Sequence, residues 1–359
     1  MTDSNGKTYI LTFHHVLNNG GLLQAYALSR FLKDNGIEVE ILNYKPWYFM
    51  LQTYRPAKGL YKSLAKLRKI LNFKRFRKHL PIAQKSYYTI RGLKRLNDAA
   101  YIICGSDQIW NARLTGGKVD PAFYLSFAKY PAKKIAYAAS SGSTPINSNW
   151  KEIGPLLKGF SAMGVREQVT CSDIAKLAPE MNPQLVVDPS LLIDDYEEVA
   201  NYSRVPKGDF LLTYTVSSGE NLELFDSFVG KAKAIYKLPV VHIGAKDIQS
   251  SDINIDAVGP DEWVAFFKSA KYVITNSFHG TAFSINFKKQ FIFFPNGDEL
   301  LNERQMTLLQ GVGLSANRIS KLSDGMCLSS IPFVDYEEVT PRLQSLVDSS
   351  GRFLLDNFK

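Results

Sequence analysis

Short apolar runs alternate along the chain with longer stretches whose apolar residues recur every three or four positions. The short runs are rich in β-branched and aromatic residues, which is typical of buried strands. The longer stretches have the periodicity of amphipathic helices. This alternation predicts an α/β fold built from βα units with parallel sheets. In the first half, the predicted strands are 7–13, 38–43, 100–104, 133–139, 161–165 and 184–187, and the predicted helices are 22–35, 149–159 and 168–178.

The same alternation resumes after a charged stretch that contains a proline and a glycine. A chain of 359 residues exceeds one ordinary hydrophobic core, so two domains are expected. We predict an N-terminal domain over 1–190, a linker over 191–208 and a C-terminal domain over 209–335. A terminal helix over 336–359 is expected to pack toward the N-terminal domain. The predicted strands of the second half are 210–216, 239–243, 253–257, 272–275 and 290–294, and the helices are 220–236, 260–269, 281–287 and 300–310.

In the stretch 272–285, a predicted strand runs through a polar turn into a helix. Ser277 is a good helix cap, Gly280 permits close backbone approach, and Thr281 opens the helix. Ligands of open α/β sheets lie beyond the carboxyl ends of strands, where a helix N-terminus favours phosphate or carboxylate. The stretch therefore predicts an anion site that His279 faces. The alternative is a helix cap whose histidine bonds nearby backbone.

Two strands of the first half also end in polar turns that contain glycine. The first pattern is not GxGxxG, so it does not indicate a dinucleotide site. Asp107 is the best carboxylate here for proton transfer, and its alternative role is an Asx turn. Arg166 follows a third strand and can bind a carboxylate or phosphate through two N–H groups. The substrate-binding candidates in these turns are Asn18, Gly20, Gly21 and Gln24 after the first strand, and Gly105 and Ser106 after the strand 100–104.

The net charge of +9 comes from one segment. Residues 41–97 hold 15 lysines and arginines and no acidic residue, whereas the rest of the chain has more acidic than basic residues. We call 44–97 the basic segment; it begins with an irregular aromatic stretch and continues into a predicted helix with leucines along one face. Through 58–78, such a helix can contact an anionic membrane or a lipid-linked substrate. The alternative is a solvated helix packed by its leucines; no module for nucleic acid is present, so we expect no such partner.

Three features that the sequence lacks bear on its compartment and on metal binding. No apolar signal segment precedes residue 7, and no apolar run approaches the roughly 20 residues that span a bilayer. We expect a cytoplasmic protein that can lie at the inner face of the membrane. Cys104, Cys171 and Cys327 have no metal-type spacing and are expected to be free thiols, with Cys104 buried in a strand. We predict no metal and no cofactor.

Together these segments resemble the polysaccharide pyruvyl transferase family. The resemblance spans nearly the whole chain, and the piece around SFHG is the most specific. In that piece, well-understood members have Arg-Leu-His-Gly where this chain has Ser277 and Phe278 before His279, so the arginine is absent here and a cation elsewhere could replace it. Arg166, Arg304 and Lys288 are the candidates. The matching pieces are NNGGLLQAYAL (18–28), ICGSDQIWN (103–111), YAASSG (137–142), GVRE (164–167), VDPSLL (187–192), GPDEW (259–263), AKYVITNSFHGTAFSINFKKQFIFF (270–294) and 302–318.

The resemblance implies two Rossmann-like domains facing a cleft, similar to GT-B glycosyltransferases. It implies transfer of pyruvate from phosphoenolpyruvate to two hydroxyls of a sugar or of a lipid-linked oligosaccharide, as a ketal, in cell-surface polysaccharide synthesis. His279, Asp107 and Arg166 would then be catalytic, with Ser277, Gly280, Thr281 and Arg304 near the substrate. The alternatives are a glycosyltransferase or another sugar-modifying transferase on the same scaffold, and a non-catalytic partner in polysaccharide assembly.

Overall fold

The computed structural model describes residues 6–55, 59–216, 221–319 and 331–358. These residues form two compact units. Unit 1 contains the described residues up to 55 together with 77–193 and 345–358. Unit 2 contains 59–76 and the described residues between 194 and 344. Each unit is built on its own parallel sheet.

The described residues of unit 1 form a seven-stranded parallel sheet in the order β3-β2-β1-β4-β5-β6-β7. The predicted strands all appear, but β3 was missed. Its sequence, IAQKSY, lies at a sheet edge and buries only Ala83 and Tyr87, so its apolar signal is weak. The strands are β1 (Lys7–Leu11), β2 (Val39–Tyr44), β3 (Ile82–Tyr87), β4 (Ala99–Cys104), β5 (Lys133–Ala139), β6 (Ala162–Val165) and β7 (Gln184–Leu185).

Unit 2 repeats this topology with a five-stranded parallel sheet among its described residues, in the order β10-β9-β8-β11-β12. In both sheets, the first strand of the unit lies centrally and the chain moves outward to either side. This is the strand order of doubly wound Rossmann-like folds. The strands are β8 (Leu211–Tyr214), β9 (Val240–Ile243), β10 (Ile253–Ile255), β11 (Tyr272–Thr275) and β12 (Gln290–Phe293).

Helices connect these parallel strands, as the alternating pattern predicts. One correction concerns the aromatic start of the basic segment, which is the helix α2 and not irregular chain; its Phe49 is buried. The helices are α1 (Asn19–Asp34), α2 (Trp47–Tyr54), α3 (Leu60–Phe76), α4 (Ile90–Leu93), α5 (Trp150–Leu157), α6 (Gln168–Leu177), α7 (Leu222–Tyr236), α8 (Pro260–Ser269), α9 (Phe278–Asn286), α10 (Glu303–Val312) and α11 (Tyr336–Asp356).

Helix α3 belongs to unit 2, whereas the sequence analysis placed the whole basic segment in the N-terminal domain. Two side chains explain the difference. Asn72 donates through Nδ2 to the carbonyl of Ala257 at 2.8 Å, and Arg75 pairs with Asp261 at 2.7 Å. The leucines of this helix do not pack, since each is at least 50% exposed. We call Leu60, Leu64, Leu67 and Leu71 the leucine stripe.

Helix α11 begins in unit 2 and continues into unit 1 from Ser345 onward. In unit 1, Ser350 Oγ accepts a hydrogen bond from the backbone N–H of Val187 at 2.9 Å, and the ring of Phe353 lies 6.4 Å from that of Tyr137. The last turns of this helix are therefore part of the unit 1 core.

The described residues bear on two expectations from the sequence, one about the cysteines and one about membrane-spanning segments. Cys104 is buried in β4 and Cys171 is half-buried, and both are free thiols. Cys327 lies outside the described residues. Within the part of the chain that the structure describes, no helix combines the length and the apolar character needed to cross a bilayer.

Candidate functional site

The predicted site turns of unit 1 lie side by side because β1 and β4 are hydrogen-bonded neighbours. The chain leaves β1 toward β2 on one side and leaves β4 toward β5 on the other. This reversal opens a crevice beyond the carboxyl ends of the two strands, where α/β sheets bind ligands. In unit 2, β8 and β11 form the equivalent pair. Each unit thus has one switch point, with sequence-predicted residues around it.

At the unit 1 switch point, α1 and its cap organise the first turn. Asn18 is the N-cap, and its Oδ1 accepts the N–H of Gly21 at 3.2 Å. The buried Gln24 donates to Thr12 Oγ1 and to the carbonyl of Gly21, both at 2.8 Å, and accepts the N–H of Ser106 at 3.1 Å. Gln24 therefore ties the two turns together. Gly20 is buried in the first turn of α1.

Asp107 lies directly beyond β4 in a restricted backbone conformation. Its φ of 67° is in the left-handed region, which costs free energy for a residue with a side chain but is tolerated by aspartate. Gly105 has φ of 111°, and a Cβ there would lie 2.1 Å from the carbonyl oxygen of Tyr137, so glycine is required. The carboxylate accepts the N–H of Gln108 at 2.8 Å. This bond is to the next residue, so it is not the Asx turn considered for Asp107, in which the side chain accepts the N–H two residues on; it holds the carboxylate at the switch point.

Arg166 is buried among carboxylates. Its Nη1 donates to Asp188 Oδ2 and, at 3.2 Å, to Ser106 Oγ, while its Nη2 lies 3.6 Å from Asp107 Oδ1. Glu167 lies 3.9 Å from Nε. Burial alone would lower the pKa of Arg166, but the carboxylates of Asp188, Glu167 and Asp107 outweigh this effect and raise it. With a side chain only 1% exposed, Arg166 is placed to orient Asp107.

Asp188 and Glu167 were not among the predicted site residues. Asp188 accepts from Ser106 Oγ at 2.7 Å and from Ser190 Oγ at 2.7 Å, and Glu167 accepts from Ser140 and Thr170 side chains. Asp188 directly follows one predicted strand, and Glu167 lies two residues after the strand that neighbours it in the sheet. Their position at strand ends was the available signal, but their pairing with Arg166 required the strand order.

In unit 2, Ser277 caps α9 as predicted. Its Oγ accepts the N–H of Gly280 at 3.3 Å, and its carbonyl accepts both the N–H and the hydroxyl of Thr281, at 2.9 and 3.1 Å. A Cβ on Gly280 would lie 2.3 Å from Thr275 Oγ1, so glycine lets the helix approach β11. His279 lies in the first turn of α9 and is buried. The capped helix N-terminus therefore lies at the unit 2 switch point.

Arg304, from the first turn of α10, reaches the same turn. Its guanidinium lies 5.7 Å from the ring centroid of Phe278, a cation–π distance, and the rings of Phe278 and His279 are 5.2 Å apart. Of the three cations considered as replacements for the family arginine, Arg304 is the one beside His279 within unit 2. Lys288 lies beyond the opposite end of α9. Arg166 is surrounded by carboxylates of its own unit.

A pocket of about 360 Å³ lies beyond the carboxyl ends of β8, β11 and β12. Its apolar wall includes Phe225 and Phe294, and its polar wall includes Asn221, Asn276 and Asn296. Asn276 and Asn296 hydrogen-bond each other through their side chains at 3.2 Å. Asn276 directly precedes the cap residue Ser277, so this pocket adjoins the turn that carries His279.

Comparisons with known proteins agree with this architecture. The S. aureus MnaA–UDP co-structure is 11% identical, covering 96% of this chain and 90% of that chain, with a TM-score of 0.50. A Listeria monocytogenes protein assigned as a UDP-N-acetylglucosamine 2-epimerase is 9% identical, covering 97% and 90%, also with a TM-score of 0.50. The glycosyltransferase SnogD from Streptomyces nogalater is 10% identical, covering 98% and 99%, with a TM-score of 0.43. At these identities the likenesses concern the fold alone, and the α/β prediction is confirmed by the two parallel sheets and by the two structures with a TM-score of 0.50.

The family of the chain is shown by its sequence and does not rest on the fold comparisons. A search of the curated proteins found no match. The family model described as polysaccharide pyruvyl transferase matches residues 18–298, a range that begins at the N-cap of α1 and includes the turns after β4, β6 and β11. The chain belongs to the polysaccharide pyruvyl transferase family and is a transferase.

Proposed function

We propose that the protein transfers pyruvate from phosphoenolpyruvate to two hydroxyls of a sugar, forming a ketal during synthesis of a cell-surface polysaccharide. Membership of the family supports the reaction class. The observation that carries the proposal is the unit 2 turn, where His279, a capped helix N-terminus and Arg304 come together. A group able to exchange protons and two sources of positive charge are what an anionic enol donor requires.

The reaction divides into two steps. A general acid protonates the methylene carbon, C3, of phosphoenolpyruvate, which leaves cationic character at C2. A sugar hydroxyl adds to C2 and gives its proton to a base. A second hydroxyl of the sugar then displaces phosphate from C2 and gives its proton to the departing phosphate, closing the ketal and releasing inorganic phosphate. No oxidant or reductant is needed.

We assign His279 and Asp107 the acid and base roles, as the sequence predicts. Arg304 would hold the carboxylate or phosphate of the donor, because its guanidinium is beside the His279 turn. Arg166 would act as a positioning residue, since its charge is already met by Asp188 and Asp107. The joint action of His279 and Asp107 remains a prediction, because they belong to different units.

The test is phosphate release from phosphoenolpyruvate with a sugar acceptor. His279→Gln should lower turnover roughly 10²–10⁴-fold, the usual worth of one general acid or base, and should leave the protein folded. Arg304→Gln should raise the KM for phosphoenolpyruvate more than it lowers kcat. The matched control is His242→Gln in unit 2; His242 is also buried, but its ring nitrogens contact Thr213 Oγ1 and the carbonyl of Lys246. A folded His279→Gln protein with parental activity would overturn the assignment.

A second candidate, a transferase that uses a nucleotide-linked sugar, is favoured by the pocket beyond β8, β11 and β12. Its aromatic and amide walls suit a flat, hydrogen-bonding group such as a nucleobase. A thermal-shift comparison of phosphoenolpyruvate with nucleotide sugars separates the two proposals. Stabilisation by phosphoenolpyruvate supports pyruvyl transfer, and stabilisation by nucleotide sugars alone supports the second candidate.

We further propose that α3 attaches the protein to the inner face of an anionic membrane. The leucine stripe is exposed, as are the cations Lys62, Arg68, Lys74 and Lys78 on and just after this helix. An amphipathic helix with exposed leucines and lysines suits the boundary between headgroups and acyl chains. Each cation near an anionic surface contributes about 1 kcal/mol.

Sedimentation with vesicles tests this attachment. Changing Lys62, Arg68, Lys74 and Lys78 to Glu should release the protein from anionic vesicles and weaken the dependence of binding on salt. The control changes four exposed lysines elsewhere, Lys129, Lys151, Lys176 and Lys207, to Glu. If both quadruple variants sediment as the parent does, α3 is not the attachment site.

A lipid-linked acceptor is favoured over a free sugar by a groove in unit 1. The groove has a volume of about 820 Å³ and an almost wholly apolar lining, and Trp47, Met50, Leu51, Tyr54, Arg55 and Tyr88 form it. Trp47 is 66% exposed and Leu51 63% exposed, so this surface is largely open among the described residues of unit 1. A hydrocarbon chain is the occupant we propose. Leu51→Ser should then raise the KM for a lipid-linked acceptor and leave that for a water-soluble acceptor unchanged.

A further inference from the structure

One cluster of cationic and imidazole groups in unit 1 lies apart from the residues assigned to catalysis. It consists of His15, which follows β1, Lys45, which directly follows β2, and Arg77, which follows α3. Arg77 donates through Nε to the carbonyl of His14 at 3.0 Å and through Nη2 to the carbonyl of His15 at 2.7 Å. The guanidinium is therefore fixed on the same loop that carries His15. We call these three residues the β1–β2 cation cluster.

His15 is buried, at 4% exposure, yet neither of its ring nitrogens has a hydrogen-bond partner among the described residues. Its neighbour His14 has the same burial but contacts the carbonyl of Thr12 at 3.1 Å and the side chain of Asn43 at 3.2 Å. Leaving a buried polar group without a partner destabilises the folded protein. Packing does not explain the choice of histidine, because its contacts are with the rings of His14 and Phe49, which phenylalanine could make equally well.

The charges around His15 are all positive. Lys45 and Arg77 act on its ring, and in the part of the chain that the structure describes neither forms an ion pair with a carboxylate. Burial, together with repulsion from Arg77, lowers the pKa of Lys45. Both cations are only partly buried, so a small anion can reach them from solvent. Cations that repel each other and lack a counter-ion are stabilised when an anion binds between them.

We propose that the β1–β2 cation cluster is a binding site for a phosphate group. Lys45 and Arg77 supply the charge, and the His15 ring supplies a hydrogen-bond donor. The site lies at the carboxyl ends of β1 and β2, beside the loop that leads from β1 to α1. This proposal does not depend on the proposed pyruvyl transfer, since phosphate binding can be measured on the protein alone. The phosphate can belong to phosphoenolpyruvate or to the diphosphate of a nucleotide- or lipid-linked sugar.

Calorimetric titration of the full chain with inorganic phosphate, pyrophosphate, phosphoenolpyruvate and UDP tests the proposal. Lys45→Gln should weaken binding of the tightest of these ligands about tenfold. Lys94→Gln is the control, because it removes one exposed cation from the same basic segment and should change the Kd less than twofold. Pyrophosphate and UDP binding more tightly than phosphoenolpyruvate assigns the site to an acceptor diphosphate, and the reverse order assigns it to the donor.

His15→Phe keeps the ring contacts and removes the unpartnered nitrogens. It should leave the protein as stable as the parent or more stable, and weaken phosphate binding at least fivefold. In the parent, phosphate should shift the imidazole NMR signals of His15. Parental affinity in folded Lys45→Gln and His15→Phe proteins would overturn the proposal, as would the absence of measurable binding of all four ligands to the parent.

Discussion

A methyl group built on Gly21 would lie 3.0 Å from Oδ2 of Asp107. The first turn of α1, which follows β1, therefore lies against the carboxylate that follows β4. Together with Gln24, this close approach sets the position of the Asp107 side chain from the α1 side. Arg166, which directly follows β6, sets it from the other side. The carboxylate is held by three elements of unit 1.

Gly21→Ala should therefore impair activity more than stability. Alanine raises helix propensity by about 0.5–1 kcal/mol, which offsets part of the cost of the new contact, whereas the carboxylate of Asp107 must move aside. Misplacement of a catalytic group by about 1 Å can cost about 10²-fold in rate, so a fall of about 10–10²-fold in kcat is expected. Turnover and urea unfolding measured on the same preparation provide the check.

The control for Gly21 is Gly92→Ala in α4, where the added methyl would meet Tyr87 at an ordinary 3.4 Å. It should leave turnover unchanged. Equal loss of activity in both variants would mean that proximity to Asp107 is not the reason for glycine at position 21.

Gly280→Ala should destabilise unit 2. The new methyl would lie 2.3 Å from Thr275 Oγ1, so α9 must move away from β11 at a cost of about 1–3 kcal/mol. Thr275→Ala removes the obstructing hydroxyl but also its hydrogen bond to the carbonyl of Tyr214. The double variant should lose less stability than the two single losses together, as measured by chemical unfolding. Strict additivity would contradict the steric explanation.

Asp188→Asn should be strongly destabilising, by about 3 kcal/mol, because it removes one of the carboxylates that compensate the buried Arg166. Asp34→Asn is the comparison: it breaks the exposed pair with Arg30 in α1 and should cost less than about 1 kcal/mol. Unfolding midpoints in urea measure both. Similar losses in the two variants would count against a stabilising role for the Arg166 cluster.

Acid should destabilise unit 1 through His14. Burial lowers the pKa of His14 to about 4, whereas an unfolded histidine titrates near 6.5. Between these values the unfolded chain binds the proton and the folded chain does not, so the contribution of His14 is complete above pH 6.5 and is lost as the pH falls toward 4. The loss is about 3 kcal/mol.

His14→Asn should flatten the dependence of unfolding free energy on pH over this range relative to the parent. Urea unfolding at half-unit steps from pH 4 to 7 tests the difference. An unchanged slope in His14→Asn would show that other groups cause the acid sensitivity.

The sequence predicted the strands around the two switch points because each is a short apolar run with a clear polar end. β11 and the cap at Ser277 are local features, determined by residues adjacent in the chain, and both were found. β3 was not predicted because an edge strand buries few side chains. α2 was not predicted because its aromatic residues face solvent as well as the core.

The partners of Arg166 could not be predicted from the sequence alone. Asp107, Glu167 and Asp188 come from three different strand ends, and only the strand order brings their charges onto one guanidinium. The same holds for Arg304, whose contact with Phe278 depends on how α10 packs against α9. Burial changes the interpretation of a motif arginine from a substrate ligand to a positioning residue.

Helix α11 has a consequence for the order in which the chain can fold during synthesis. The strands of unit 1 leave the ribosome before those of unit 2, but the fully buried Leu354 and Ser350, which is bound to Val187, belong to unit 1 as well. The sheet that is translated first therefore lacks part of its core until the last residues of α11 have emerged. The sheet of unit 2 lies between these parts of the chain. All of its described strands are therefore translated before the end of α11. Until then, the part of the unit 1 core that α11 covers stays exposed to solvent. Exposed apolar surface of this kind is what chaperones bind.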